Sequence, residues 1–241
     1  MILFIKYFNP IFSIFLLFLS NSLFSNDNPS VAIATFVSGD VSYLRNGNVS
    51  VPKKNDYFQS TDEIQVGNKG MIDIQMGSGT IVRLKSNSKL KINSILESES
   101  KESINLDLLK GTIFSKAKKK DGKELNFSVK APSFTAGVRG TEFAISAGET
   151  EDQDLPEGVF VKEGNVAVQD KSSSNLFSIN GGEELVKNAR GLQKQILDDA
   201  IKEKLRILET LNVMKESSYQ MLKDAKLKNK EMLENTKNQS K

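Results

Sequence analysis

Short runs in which apolar and polar residues alternate fill the chain from residue 31 to about residue 186, and they limit its fold more than any other feature. In the run 71–76, for example, the isoleucines fall on one face, and Asp73 and Gln75 fall on the other. Successive side chains of a β-strand point to opposite sides, so the pattern predicts half-buried strands. Similar runs occupy residues 41–44, 81–84, 90–92, 104–108, 113–114, 125–129, 142–145, 159–161 and 166–168.

Residues that tolerate a positive φ separate these runs, among them Asn46-Gly47, Gly77-Ser78-Gly79, Glu163-Gly164-Asn165 and Asn180-Gly181-Gly182. Many short strands with such turns between them are typical of sandwiches, barrels and solenoids. The predicted fold class is therefore mainly β, with short antiparallel strands in an elongated β-sandwich or a β-solenoid-like domain.

After residue 187 the apolar residues recur at helical intervals among lysines and glutamates. This change predicts a C-terminal amphipathic α-helical segment, broken near Ser217 and Ser218 and disordered over 235–241. Its apolar stripe is expected to pack on the β domain or on a second copy of the chain, which would form a homo-oligomer. A membrane-surface helix is less favoured, because the stretch lacks aromatic anchors.

The N-terminal residues 1–25 contain one charge, Lys6, then an apolar run from Ile11 to Leu19 and small polar residues. This order predicts a secretory signal peptide and a periplasmic or otherwise extracytoplasmic protein. An uncleaved anchor is the alternative, and the cleavage site stays open. The predicted domains are the signal peptide 1–25, the all-β domain 26–186 and the helical segment 187–241, with no stable membrane span if the signal is cleaved.

The chain has neither cysteine nor histidine, which removes thiol nucleophiles, imidazole acid–base chemistry and the usual zinc ligands. The net charge of +3 is small, and the lysines are spread among acidic residues, so a nucleic-acid partner is not expected. We predict no catalytic residue, no metal site and no cofactor. The acidic loop 148–158 is interpreted as solvated rather than calcium-binding, and the basic run 116–120 as a hairpin tip.

Several motifs follow one another in a characteristic order: 39–41 (GDV), 77–80 (GSGT), 86–88 (SNS), 109–113 (LKGTI), 130–143 (KAPSFTAGVRGTEF) and 161–168 (VKEGNVAV). In this order they resemble a FecR-type domain from about Gly39 to Leu185. The resemblance implies an all-β extracytoplasmic module, best known from transducers that relay a signal from an outer-membrane iron-citrate receptor to a sigma factor. Such transducers carry a cytoplasmic region before their membrane helix. Only Met1 precedes the largely apolar stretch 2–24 here, so the module is expected without direct sigma-factor regulation.

Arg139 stands between two glycines in the most distinctive of these motifs. Its guanidinium is expected either to hydrogen-bond carbonyls or a carboxylate, such as that of Glu142 or Glu163, or to contact an anionic ligand such as citrate or a cell-wall carboxylate. The residues predicted to form the structural turn are Pro132, Gly137, Arg139, Gly140 and Thr141.

These observations favour a non-enzymatic binding or scaffold module of the cell envelope, with a protein or cell-wall partner. The alternative is an envelope sensor whose β domain binds a small anionic ligand and signals through the C-terminal helix.

Overall fold

The computed structural model describes residues 28–118, 122–148 and 155–239 of the 241-residue chain. The predicted signal peptide lies outside these ranges. Within them the chain forms sixteen strands, all hydrogen-bonded into one continuous sheet. The strands are β1 (Asn28–Pro29), β2 (Ala32–Ser38), β3 (Val41–Arg45), β4 (Asn48–Ser50), β5 (Tyr57–Phe58), β6 (Glu63–Val66), β7 (Met71–Met76), β8 (Thr80–Leu84), β9 (Lys89–Glu97), β10 (Lys101–Ala117), β11 (Glu124–Lys130), β12 (Phe134–Ala147), β13 (Gly158–Asp170), β14 (Leu176–Asn180), β15 (Glu183–Asn188) and β16 (Gly191–Ile196).

The sheet folds over on itself into two layers, because three long strands take part in both. Layer A has the order β5-β2-β7-β8-β10-β12-β13-β15-β16, and it uses the C-terminal halves of β10 and β12 with the N-terminal half of β13. Layer B has the order β4-β3-β6-β9-β10-β11-β12-β13-β14 and uses the opposite halves. Two short strands add to the sheet: β1 pairs with β9, and β5 pairs with β2.

The mainly β fold class is confirmed, and the strand pairing selects the sandwich rather than the solenoid. A β-solenoid stacks successive repeats side by side with parallel strands. Among the strands described here, β10 and β11 form the one parallel pair, and the other pairs are antiparallel. The core lies between the layers, where Phe127 of layer B meets Phe143 of layer A with ring centroids 5.9 Å apart.

Each long strand bends at a glycine with a positive φ: Gly111 in β10 (φ 85°), Gly140 in β12 (φ 62°) and Gly164 in β13 (φ 90°). The sequence suggests separate strands on either side of these glycines, but the chain continues as one strand through each bend. Positive φ is accessible to glycine at little steric cost, and the same residue can therefore end a strand or bend one.

The bends also change which residues face the core. Before its bend, β12 turns its even-numbered residues toward the core between the layers, and after the bend it turns its odd-numbered residues toward that core, because the register shifts between Arg139 and Glu142. The core-facing side chains of β12 are Phe134, Ala136 and Val138, then Phe143, Ile145 and Ala147.

The helical segment begins later than predicted. Residues 191–196 form strand β16, because Gly191 (φ 99°) closes a tight hairpin with β15 and draws Leu192 into the core. Helix α1 (Asp199–Leu205) follows. Its N-cap is Asp198, whose side chain accepts a hydrogen bond from the Ala200 N–H at 2.8 Å. A 3-10 helix (Arg206–Thr210) follows directly.

Helix α2 (Glu216–Gln239) follows residues 211–215, and the break predicted near Ser217 and Ser218 falls at 211–215 instead. The helix also continues through most of the tail that was expected to be disordered. Among the helices that the structure describes, none is both long enough and apolar enough to cross a lipid bilayer.

The apolar side chains of the C-terminal segment pack on the outer face of layer A, as one of the two sequence interpretations expects. This cluster contains Ile81, Phe114, Ala144 and Phe160 from the sheet, covered by Leu155, Leu197, Leu205, Leu208 and Leu211. Burying such side chains stabilises a fold by about 1.5 to 3 kcal/mol each, so the segment is an integral part of the β domain.

Candidate functional site

The outer face of layer B between β10 and β14 is free of covering segments among the described residues, and we call it the open face. Its side chains alternate with buried ones such as Ile104, Val138 and Val166, and therefore point away from the core. A groove of about 530 Å³ lies at its centre. The outward-facing groups that line the groove are Ser103, Asn105, Glu124, Asn126, Ser128, Gly137, Arg139, Asn165 and Ala167.

The floor of the groove is formed where Gly137 of β12 lies opposite Ala167 of β13. Gly137 has no positive φ, and a Cβ atom built on it would meet only the Ala167 carbonyl oxygen at an ordinary 3.8 Å. Neither backbone conformation nor packing therefore requires glycine at this position. The missing side chain leaves the space that the groove occupies.

Amide side chains on the open face are held in place by hydrogen bonds along the sheet surface. The Asn165 Nδ2 group donates to Ser178 Oγ at 2.8 Å and to Asn180 Oδ1 at 2.9 Å. The Asn105 Nδ2 group donates to Ser94 Oγ, also at 2.8 Å. Because these donors are engaged, the amide oxygens of Asn105 and Asn165 are presented to a ligand as oriented acceptors.

Arg139 is exposed beside the groove, in register with Asn165 on the neighbouring strand. Within the part of the chain that the structure describes, its guanidinium makes no hydrogen bond or ion pair. The expected bond to Glu142 is not formed, because the bend at Gly140 turns Glu142 to the outer face of layer A. There Glu142 pairs with Lys116 at 2.5 Å and with Lys162 at 3.5 Å. The fork of donors on Arg139 is thus open to an anion.

The other residues of the predicted turn motif do not form one turn. Pro132 lies in the connection between β11 and β12, where the Ala131 N–H donates to the Phe134 carbonyl at 2.9 Å. Thr141 is buried after the bend, and its hydroxyl donates to the Asn165 carbonyl at 3.3 Å. Together with Gly140 it sets the bend that places Arg139 on the open face.

A buried polar cluster that sequence reasoning missed joins α2 to the sheet. Glu97 accepts hydrogen bonds from Lys123 at 2.7 Å and from Lys223 of α2 at 2.9 Å. The hydroxyls of Ser30 and Tyr219 are 2.7 Å apart. Burial raises the pKa of Glu97, but the hydrogen bonds and charges of the two lysines outweigh it, and the pKa lies below its ordinary value. Nothing in the local pattern distinguishes Glu97 from a solvated strand residue.

Glu102 lies opposite Glu97 on the neighbouring strand and is 2% exposed. Burial raises the pKa of Glu102, although the hydroxyl and backbone N–H of Ser78, each 3.1 Å away, oppose the change. Gly77 makes room for this carboxylate, since a Cβ atom there would lie 1.0 Å from Glu102 Oε1. Ser78 and Gly77 therefore enclose this carboxylate.

Within 28–118, 122–148 and 155–239, no group of three or more acidic side chains is close enough to hold a metal ion. Most of the acidic loop, residues 149–154, and residues 119–121 of the basic turn lie outside the described ranges. Their interpretation therefore stays a prediction.

Comparison with known proteins gives a family match and two similar structures. Residues 62–179 match the family described as "FecR protein". Two crystal structures of a proposed anti-sigma factor from Parabacteroides distasonis ATCC 8503 are also similar. The first is 21% identical to this chain with a TM-score of 0.44, and the aligned region covers 56% of this chain and 60% of that structure's chain. The second is 22% identical with a TM-score of 0.46, and the aligned region covers 60% of this chain and 63% of that structure's chain. The match thus spans less than two thirds of either relative.

The comparison with curated proteins gives no match. The family match, by contrast, covers all three bent strands completely and every residue that lines the groove. It lies within the span over which the ordered motifs resemble a FecR-type domain, and that prediction is confirmed. Residues 62–179 of the chain therefore form a FecR family domain.

Proposed function

We propose that this FecR-domain protein is a non-enzymatic regulatory binding module of the cell envelope, which holds a carboxylate-bearing ligand on its open face. The proposal rests on the difference between the two outer faces of the sandwich, of which one is covered and one is open. The chain covers the outer face of layer A with its own C-terminal segment and leaves the polar groove of layer B open. The export prediction from residues 1–25 supports the envelope location.

Arg139 supplies the anion contact in this proposal. A guanidinium offers several donors in a planar fork, which suits a carboxylate in two-point geometry. The groups around it are the neutral amides of Asn126 and Asn165, which can bind hydroxyl or carbonyl groups of the same ligand. Hydroxyl, amide and carboxylate groups also line the groove, and such groups bind polar ligands through hydrogen bonds.

A sensor function is the second candidate, because a short series of contacts links the groove to the C-terminal segment. Arg139 and Glu142 flank the bend of β12 and lie on opposite faces of the sandwich. Glu142 contacts Lys162, and Lys162 in turn pairs with Glu209 of the 3-10 helix at 3.0 Å. A ligand that reorients Arg139 would thereby act on a strand that holds the C-terminal segment. Membership of the FecR family supports a regulatory role with a protein partner for that segment.

The test is the substitution Arg139→Gln, followed by calorimetric titration with citrate and with galacturonate. We expect the variant to bind the carboxylates at least tenfold more weakly, about 1.4 kcal/mol, because charge-assisted hydrogen bonds are lost. Its melting temperature should stay unchanged, since Arg139 has no partner within the described chain.

Arg190→Gln is the matched control, because Arg190 is exposed in the turn between β15 and β16, far from the groove. It should bind like the wild-type protein. Equal binding by Arg139→Gln and wild type, or no binding of any carboxylate by the wild type, would contradict the proposal.

A further inference from the structure

We infer that the ligand of the open face is an extended polysaccharide in which a single uronic acid is joined to neutral sugars, rather than a compact anion. This inference rests on the proposed function, which assigns binding to the open face. It adds the chemical class and the length of the ligand.

The first argument is the unusual number of asparagines in the strands of the open face. Asparagine is depleted from β-strands, because it fits a pleated surface poorly and competes for backbone hydrogen bonds. Nevertheless β10, β11, β13 and β14 each present an asparagine on the open face: Asn105, Asn126, Asn165 and Asn180. Short amides held in fixed orientation are well suited to recognise hydroxyl groups, since the oriented oxygens of Asn105 and Asn165 accept hydrogen bonds from them.

The second argument is the shape of the site. The polar groups cross five adjacent strands from β10 to β14, and strands lie roughly 4.8 Å apart, so the row extends over about 19 Å. A compact anion bound at Arg139 would leave most of this row without a contact. A chain of several sugars would use it along its length, with a carboxylate at Arg139.

The third argument is the apolar floor of the groove. Gly137 and Ala167 place only a backbone and a methyl group between polar walls. A pyranose ring presents C–H groups on its faces and hydroxyls at its rim, which matches an apolar floor between amides and hydroxyls.

Other extended ligands fit this face less well. A peptide that binds a sheet by strand addition needs a free strand edge, whereas β10 to β13 are paired on both sides in layer B. A nucleic acid needs several cations along its path. Here Arg139 is accompanied by Asn126, Asn165 and the carboxylate of Glu124.

The experiment titrates the purified protein with galacturonate, with oligosaccharides of two to six sugars in which one sugar is galacturonate and the others are neutral, with citrate, and with neutral dextran oligomers of the same lengths. We expect affinity to rise with the number of sugars, so that the hexamer binds at least tenfold more tightly than the monomer or citrate. Dextran should bind at least tenfold more weakly than the acidic oligomer of equal length.

Gly137→Val tests the groove directly, because a branched side chain would fill its floor while strand geometry accommodates valine well. We expect at least a tenfold loss of hexamer affinity with an undiminished melting temperature. Ser50→Val, on the exposed edge strand β4, is the matched control and should bind normally. Ala167→Leu fills the same floor from β13 and serves as the second blocking variant if Gly137→Val folds poorly.

The outcomes separate this inference from the proposed function. Equal affinity for hexamer, monomer and citrate, all lost in Arg139→Gln, would overturn the polysaccharide while the carboxylate-binding function stands. Hexamer binding that survives both Gly137→Val and Ala167→Leu would remove the groove as the site. No carboxylate binding at all would defeat both proposals.

Discussion

At Gly164 the backbone of β13 comes so close to that of β12 that a side chain would not fit. A Cβ atom there would lie 2.6 Å from the Gly140 carbonyl oxygen and 2.9 Å from Thr141 Cγ2, and φ is 90°. Two independent requirements, positive φ and close approach, therefore meet at this one residue. It holds β13 against the bend that places Arg139 on the open face.

We predict that Gly164→Ala lowers the free energy of unfolding by about 3 kcal/mol, from the strained φ together with the steric clash. Gly47→Ala is the control, since Gly47 has a similar φ of 82° but nothing within 4 Å of the added Cβ. It should show only the conformational part, about 1 kcal/mol. Chemical denaturation measures both values. Equal losses in the two variants would show that the close approach at Gly164 contributes nothing.

Among the elements, helix α2 is attached to the sheet mainly through its first turns. Tyr219 is completely buried against Val31 and Ile33, and Lys223 bonds to Glu97. Burial raises the pKa of Tyr219 well above its ordinary value, so its hydroxyl keeps its proton and donates to the Val31 carbonyl. Farther along, Leu227 and Met232 are exposed. The helix is therefore docked at one end and open to solvent or a partner at the other.

We expect Tyr219→Ala to release α2 while the sandwich stays folded, because a large buried aromatic side chain contributes about 3 kcal/mol to such a contact. Hydrogen–deuterium exchange should accelerate across α2 and remain slow in β10 to β13. Met221→Ala, on an exposed position of the same helix, should leave exchange unchanged. Simultaneous loss of protection in helix and strands would mean that α2 does not dock independently.

For the molecule as a whole, three strands serve both the groove and the surface that the C-terminal segment covers. Glu142 stands at the junction, held by Lys116 and Lys162, while Lys162 also contacts Glu209 in the segment. Burial lowers the pKa of Lys162, but the hydrogen bonds and charges of Glu209 and Glu142 outweigh it and raise the pKa above its ordinary value. The lysine thus stays charged and keeps both contacts.

In the sensor proposal, Glu142→Gln should separate binding from its effect on the segment. Ligand affinity should stay within twofold of wild type, because Glu142 lies on the opposite face from the groove. The ligand-induced change in hydrogen–deuterium exchange of the 3-10 helix should disappear. The control is Glu163→Gln, its exposed cross-strand neighbour. An undiminished response in Glu142→Gln would contradict this route.

Local properties of this protein could be predicted from its residues alone: strands from alternation, a helical C-terminal segment from the change of period, and the FecR domain from ordered motifs. Alternation is local because it records only which side of a strand faces the core. It could not tell that the runs 104–108 and 113–114 belong to one strand, since a positive-φ glycine fits a turn and a bend equally well.

The packing of the two layers sets the face on which Arg139 lies and the residues that lie beside it. Its separation from Glu142 depends on a register shift against β13, and the cluster around Glu97 joins residues more than one hundred positions apart in the chain. Such contacts follow from how the two layers pack, and no local pattern encodes them. The open groove is a product of the same packing, because Gly137 and Ala167 meet only when β12 and β13 pair.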